Sequence, residues 1–186
     1  MGRFEWKDEM TELEQKNMVD FILYLYEGYQ RWCHHPGRED LDDRHIHYLL
    51  YEAGREVTRI IGEFKNIRIS KEARSLLNIV DEETTFSGYL SSRKAHPDKT
   101  VREHYKPADD FIKQFKQFAD ENKPFGKKEA IAWLEEAIIA IITSDEDKTL
   151  TELGYVRNRP NPAEAYDEAG IVATPFIPAR IKKTKK

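Results

Sequence analysis

Cysteine is almost absent from this sequence of 186 residues, which contains only Cys33. A single cysteine cannot build a disulfide framework or a cysteine-based zinc site within one chain, so both of these classes of small domain are excluded. Long apolar runs are also missing, because none approaches the roughly 18 residues that a membrane-spanning helix needs. The start of the chain lacks the apolar stretch of a secretory signal. We therefore expect a cytoplasmic protein without a membrane partner.

Common catalytic motifs are missing as well. The sequence has no phosphate-binding glycine loop and no Gly-x-Ser-x-Gly nucleophile motif. What it does contain is the balance of a folded domain, with 39% hydrophobic and 34% charged residues. Because this length suits one core, we predict a single helical domain over residues 1–174.

Charge is distributed unevenly along the chain. The net charge is −4, yet the last seven residues contain five basic residues and no acid. The remainder has 25 basic and 34 acidic residues, a balance of −9. Residues 175–186 are predicted to be an extended basic tail, which either contacts a phosphate backbone or is a solvated chain end. The acidic remainder argues against a protein that coats nucleic acid over a wide face.

Apolar residues recur at helical spacing in the first third of the chain. They predict two long helices that form an antiparallel hairpin over residues 11–64, with the short HHPGR turn between them. The apolar stripe of the first helix consists of Met18, Phe21, Ile22, Leu25, Tyr29 and Trp32. The stripe of the second consists of Leu49, Ala53, Val57, Ile60, Ile61 and Phe64.

The rest of the chain is predicted to be a helical core with at most a small β-hairpin near residues 85–105, so the fold class is mostly α. The apolar segment 129–143 is interpreted as a central buried helix. A strand over Ala137–Thr143 is the alternative, because its four isoleucines are β-branched. The other predicted elements are helices over 71–80, from Pro107 onward, over 144–153 and over 163–169, a loop or hairpin over 81–100, and an extended segment over 100–105.

One segment is chemically distinctive, namely Arg102–Pro107, which reads REHYKP. The imidazole of His104 is suited to take a proton from water near neutral pH. The neighbouring carboxylate of Glu103 is suited to hold a divalent cation. Successive residues of a strand point to opposite faces, so one shared site needs a twist, a bulge or a bridging water. The alternative for His104 is an ordinary surface histidine paired with Glu103 or Asp109.

The sequence EHYKP over residues 103–107 resembles the acid-His-x-x-Pro signature of the HNH, or ββα-metal, endonucleases. The resemblance implies that Glu103 binds the metal and that His104 is the general base. It also implies a divalent cofactor, Mg²⁺ or Mn²⁺, and an HNH-like region within residues 84–171.

Further metal ligands are implied by the same resemblance. In that family an asparagine downstream of the histidine is a ligand, and Asn122 lies at a suitable separation. Asp109 and Asp110 are competing ligands. The chain departs from the family pattern because it has no histidine after His104 and lacks the cysteine pairs that often brace such domains.

Function is therefore predicted as a metal-dependent nuclease, phage- or defence-related, that acts on nucleic acid. The phosphate contacts are assigned to the basic residues around the segment: Arg93, Lys94, Arg102 and Lys106. The alternative is a non-catalytic phage-type inhibitor or adaptor that needs no cofactor and binds a host protein through acidic helical faces. A third interpretation is a homodimer that buries the aromatic stripe of the first helix.

Overall fold

The computed structural model describes residues 12–38, 43–81, 83–106, 108–155, 159 and 161–177. The helices of this part of the chain are α1 (Glu12–Cys33), α2 (Asp43–Lys65), α3 (Lys71–Leu77), α4 (Phe86–Ala95), α5 (Ala108–Asp120), α6 (Lys127–Glu135), α7 (Ser144–Glu152) and α8 (Pro162–Glu168). The strands are β1 (Ile67–Ser70), β2 (Thr100–His104), β3 (Ile139–Thr143) and β4 (Ala173–Pro175). The predicted mostly α-helical fold class is confirmed. Within the described ranges, no helix is long and apolar enough to cross a membrane.

Helices α1, α2, α5 and α6 build one layer of the fold, which we call the helical layer: α1 and α2 both pack on α5, and α6 packs on α1. The aromatic ring of Phe115 on α5 lies at its centre, with ring centroids 5.3 Å from Tyr26 of α1 and 5.8 Å from Trp133 of α6. The two long helices predicted over residues 11–64 are thus found as α1 and α2. Residue 11, with which the predicted hairpin begins, lies outside the described residues.

Gly54 sets how closely α2 approaches α5. A Cβ atom at this position would lie only 2.5 Å from Cδ1 of Ile112, a buried side chain of α5. Overpacking costs about 1–3 kcal/mol and outweighs a gain in helix propensity of about 0.5–1 kcal/mol, so Gly54→Ala is expected to lower the free energy of unfolding by up to about 2 kcal/mol, measured by urea denaturation. Gly28→Ala is the matched control, because a Cβ on this helical glycine of α1 would meet no atom within 4 Å. The control should be neutral or stabilising by up to about 1 kcal/mol, and an equal loss in both variants would contradict this account.

The strands form one sheet in the order β2-β3-β1-β4, in which β1 and β3 are parallel and both outer pairs are antiparallel. Side chains alternate between its two faces. Ile139 and Ile141 of β3 pack with residues of α3 and α4, whereas Ala140 and Ile142 pack with residues of α7 and α8. The sheet is therefore covered on both faces, and β3 is buried between them from Ile139 to Ile142.

The predicted central helix over 129–143 is correct only as far as Glu135 and is wrong beyond it. Residues Ile139–Thr143 are β3, so the alternative of a strand is confirmed in this segment. The physical reason is that an inner strand covered on both faces needs apolar residues throughout, which removes the alternation that marks a strand.

The β-structure extends beyond the hairpin predicted near 85–105. That region contributes α4 and β2, and β2 pairs with β3 instead of with a neighbouring segment. The helix α4 was not predicted, and its start is stabilised by Thr85, whose hydroxyl accepts a hydrogen bond from Gly88 N. Two other helices also begin at a side-chain cap, since Ser70 caps α3 and Asn161 caps α8. Of the predicted tail, 178–186 lies outside the described residues.

Candidate functional site

The distinctive segment forms β2, an edge strand of the sheet, and its side chains point to two different environments. Glu103 pairs in register with Ala140 of β3, and it therefore faces α7 and α8. His104 pairs with Ile139 and faces the opposite side, where it reaches α2. The regular pairing of β2 with β3 over Thr100–His104 leaves no bulge that would bring Glu103 and His104 together.

Glu103 is bound by Arg159, a residue that is only 1% exposed. The guanidinium Nη2 donates to Glu103 Oε1 at 2.7 Å. The same guanidinium donates to the carbonyl oxygens of His104 at 2.7 Å and Tyr105 at 3.1 Å. It also donates to the Tyr155 carbonyl through Nε and Nη2, at 3.0 and 2.7 Å. Arg159 therefore ties β2 to the chain that follows α7.

Aromatic rings enclose this ion pair. The ring of Tyr166 lies 5.6 Å from the Arg159 guanidinium carbon and 4.7 Å from the ring of Tyr105. Burial raises the pKa of the Glu103 carboxyl, and the Arg159 guanidinium opposes that rise. Burial likewise raises the pKa of Asp147 on α7, again opposed by Arg159. Glu103 is therefore a structural partner of Arg159 in a low-dielectric environment, and its carboxylate is already engaged.

His104 is engaged on the other face of β2. Its Nε2 lies 3.1 Å from the carbonyl oxygen of Arg55 on α2, and a neutral imidazole with a proton on Nε2 donates this bond. Burial lowers the pKa of His104, and the Arg55 carbonyl opposes that change. Arg55 and Arg59 lower this pKa further, whereas Glu56 raises it. The surroundings therefore favour the neutral form, which links the sheet to the helical layer.

The lowered pKa of His104 predicts a pH dependence of stability. In the unfolded chain a histidine takes up a proton below a pKa of about 6.5. In the folded protein the pKa of His104 is lower, so protonation favours the unfolded chain. The neutral His104 therefore contributes its full stabilisation above the unfolded-state pKa, and this stabilisation is lost as the pH falls toward the folded-state pKa. As the pH falls from about 7.5 to about 5.5, the free energy of unfolding of wild type should decrease by up to about 1.4 kcal/mol per pH unit more than that of His104→Gln. Urea denaturation at each pH measures this, and parallel profiles would contradict it.

The other predicted metal ligands are not brought to β2. The side chain of Asn122 accepts a hydrogen bond from Gln30 Nε2 of α1 at 2.9 Å, beyond the end of α5. Asp110 pairs with Lys113 at 3.6 Å on the surface of α5. Asp109 lies in the first turn of α5, and its side chain is outside the described part. In the part of the chain that the structure describes, no group of three or more His, Cys, Asp or Glu side chains is placed to hold a metal ion. Glu103, Asp110 and Asn122 thus lie on separate parts of the fold and are not arranged to hold one Mg²⁺ or Mn²⁺ ion together.

The four predicted phosphate contacts are spread over several elements. Lys106 forms an ion pair with Glu136. Arg93 and Lys94 lie in the last turn of α4, where cations stabilise the negative end of the helix dipole. Arg102 lies on the α2 side of β2 and contributes to the lowered pKa of Glu56. The cations thus have local roles and do not line one described groove.

A strongly acidic surface is the feature that the sequence patterns did not locate. Helices α7 and α8 cover the same face of the sheet, because Leu150 of α7 and Tyr166 of α8 share one apolar cluster. Their outward faces carry exposed carboxylates: Asp145, Glu152, Glu164, Asp167 and Glu168. We call these two helices the acidic layer. The amino-acid composition shows only a general acidic balance, and the signal that could have found the layer is the count of seven acids against one lysine within residues 144–152 and 162–168.

One carboxylate of the acidic layer serves the fold. Oε2 of Glu146 accepts hydrogen bonds from Ser70 Oγ and from the Thr143 backbone N–H, both at 2.7 Å. Ser70 and Thr143 end the two parallel strands β1 and β3, and each caps the helix that follows. Glu146 therefore joins α7 to the carboxyl ends of both strands, and only the outward carboxylates remain for a partner.

Comparison of the chain with models of protein families, with curated proteins and with solved structures gives no significant match.

Proposed function

We propose that this protein is a non-catalytic binding protein whose acidic layer docks on a basic protein surface of the kind that otherwise contacts nucleic acid. The observation that carries the proposal is the concentration of exposed carboxylates on the outward side of α7 and α8, the two helices that cover one face of the sheet. An acidic surface of this kind competes with phosphate groups for the same cations of a partner.

The charge balance supports this choice of surface. Helices α7 and α8 together contain seven acidic residues and one lysine, a balance of −6. The rest of the chain contains 29 of the 30 basic residues and 27 of the 34 acidic residues, a balance of +2. The two helices therefore account for all of the net negative charge of the chain.

Three of the five outward carboxylates have no internal cation in the described part of the chain, whereas Glu152 lies near Lys148 and Glu168 accepts a hydrogen bond from the Tyr155 hydroxyl at 2.5 Å. Within the described ranges, no ion pair neutralises Asp145, Glu164 or Asp167, and all three side chains are exposed. Lys148, the one cation of the layer, is 74% exposed and lies 3.7 Å from Glu152. Such exposed pairs contribute little, so the layer keeps its negative potential and gains most when a cationic surface approaches.

The nuclease hypothesis remains a prediction. The contacts of the segment favour the binding function, because Arg159 occupies the carboxylate of Glu103 and the Arg55 carbonyl occupies Nε2 of His104. The two side chains face opposite sides of β2, so one substrate cannot meet both without rearrangement of the strand.

Capture experiments with charge-neutralised variants test the proposal. Immobilised wild type is expected to retain a basic protein from an extract of its source cells, and heparin or an increase in salt from about 0.05 M to about 0.5 M should release that protein. A variant with Asp145→Asn, Glu152→Gln, Glu164→Gln and Asp167→Asn should bind the purified partner at least about tenfold more weakly.

The matched control removes the same amount of charge elsewhere on the surface. It carries Glu27→Gln, Glu72→Gln, Glu83→Gln and Glu135→Gln, all at exposed positions. The control should bind the partner as wild type does. Equal affinities of the wild type and the acidic-layer variant would overturn the proposal, and so would a partner whose binding does not respond to salt or heparin.

A further inference from the structure

The outer face of α1 carries a regular seam. Its members are exposed and recur with the alternating spacing of four and three residues that marks the contact line of paired helices: Asn17, Phe21, Tyr24, Gly28 and Arg31. The side chain of Phe21 is 44% exposed and that of Tyr24 is 71% exposed. The opposite face of α1 is already buried in the core through Ile22, Tyr26 and Tyr29. The seam thus places two aromatic side chains and a glycine, flanked by Asn17 and Arg31, on a surface that the fold of one chain leaves uncovered.

Gly28 makes this seam unusual. A glycine inside a helix costs roughly 0.5–1 kcal/mol relative to alanine. At position 54 close packing against Ile112 explains why the residue is glycine, but no atom lies within 4 Å of a Cβ built at position 28. The backbone at Gly28 is therefore open to a large side chain from outside, one turn from Tyr24 and two turns from Phe21.

We propose that a second copy of this chain covers the seam and that the two α1 helices pair in antiparallel orientation about a two-fold axis near Tyr24. Each Phe21 ring then lies over Gly28 of the other copy, and the two Tyr24 rings meet at the axis. Each Arg31 lies near Asn17 and Asp20 of the other copy. This inference is independent of the proposed function, because it uses a different surface.

The seam itself selects this arrangement. Antiparallel pairing about residue 24 places position 17 opposite position 31 and position 21 opposite position 27. Because helical side chains lean toward the amino terminus of their own helix, the Phe21 ring reaches the open backbone at position 28 of the other copy, and the cation meets an amide and a carboxylate. Parallel pairing would place Arg31 against Arg31 and Gly28 against Gly28, which combines a like-charge contact with a void. A closed two-fold pair requires such a self-complementary surface.

Sedimentation equilibrium over a range of protein concentrations tests the pairing. Wild type is expected to approach twice the chain mass of 21.9 kDa as the concentration rises. Tyr24→Glu should remain at the mass of one chain, because it places two like charges at the axis. Gly28→Leu should also remain monomeric, yet its unfolding temperature should not fall, because leucine is the better helix former. Tyr48→Glu is the matched control at another exposed aromatic residue, 64% exposed on α2, and should still pair.

Cysteine cross-linking distinguishes the orientation. In a Cys33→Ser background, Phe21→Cys and Gly28→Cys chains mixed together should form a mixed disulfide much faster than either forms a disulfide alone. Wild type that stays monomeric at every concentration would overturn the proposal, as would a dimer that persists in Tyr24→Glu or cross-links like with like. The acidic-layer variant should keep the mass of wild type, so failure of this pairing and failure of the proposed function are separately visible.

Discussion

Replacement of Arg159 by methionine is expected to lower the free energy of unfolding by about 3–5 kcal/mol, because it breaks a buried ion pair from one side. The change removes the donors to three backbone carbonyls and leaves the Glu103 carboxylate without its cation in a buried environment. Unsatisfied buried acceptors and an unpaired buried charge both destabilise the folded state. Arg159 is therefore expected to be among the residues that the fold tolerates least in substitution.

Urea denaturation followed by circular dichroism measures this effect. The double variant Glu103→Leu with Arg159→Met removes the unpaired carboxylate, so it should recover about 1–3 kcal/mol relative to Arg159→Met alone. Lys148→Met is the control at an exposed cation and should change stability by no more than about 0.5 kcal/mol. A loss below about 1 kcal/mol in Arg159→Met would show that the guanidinium does not hold β2 as described.

Truncation of Phe115 should be comparably severe in the helical layer. This ring is 2% exposed and contacts aromatic residues from α1, from α6 and from the turn between α5 and α6. Phe115→Ala removes those contacts and leaves a cavity where three elements meet, and the expected loss is about 3–5 kcal/mol. The same denaturation experiment measures it.

Tyr48→Ala provides the comparison for Phe115→Ala. Tyr48 is an aromatic residue of α2 that is 64% exposed, so its truncation should cost no more than about 0.5 kcal/mol. Similar losses in the two variants would contradict the placement of the core. A loss confined to Phe115→Ala would confirm that α5 organises the helical layer.

Local patterns in the sequence predicted the helices well and the sheet poorly. Amphipathic stripes and caps such as Ser70 and Asn161 depend on neighbours within a few residues, and the corresponding helices are found. The pairing of β1 with β3 joins Ile67 to Ile139, which is 139 − 67 = 72 residues further along the chain, and no local pattern reports such a contact. Strand β1 is short and was not predicted, and β3 was interpreted as the end of a helix.

The candidate site likewise combines residues that the sequence singles out with long-range contacts that it could not predict. The sequence singled out Glu103 and His104 because an acid next to a histidine is chemically distinctive. It could not show that the acid is held by Arg159, which lies 56 residues away along the chain. Nor could it show that the histidine is held by the Arg55 carbonyl, 49 residues away in the other direction. Alternation along the strand was the usable signal, since it already predicted opposite faces for the two side chains.

The side chains on both faces of β2 thus stabilise the fold. Arg159 fastens one face to the acidic layer, and His104 fastens the other face to the helical layer. This double attachment gives the acid-His pair a structural role, and the proposed binding surface lies elsewhere, on the outward sides of α7 and α8. Substitutions within β2 should consequently weaken folding and partner binding together.

The most direct test of this account is cleavage of DNA and RNA by the full chain in the presence of Mg²⁺ or Mn²⁺, with wild type and His104→Ala compared side by side. The account predicts that both proteins leave the substrates intact, while His104→Ala shows the lower stability. Metal-dependent cleavage by wild type that is abolished in folded His104→Ala would contradict it.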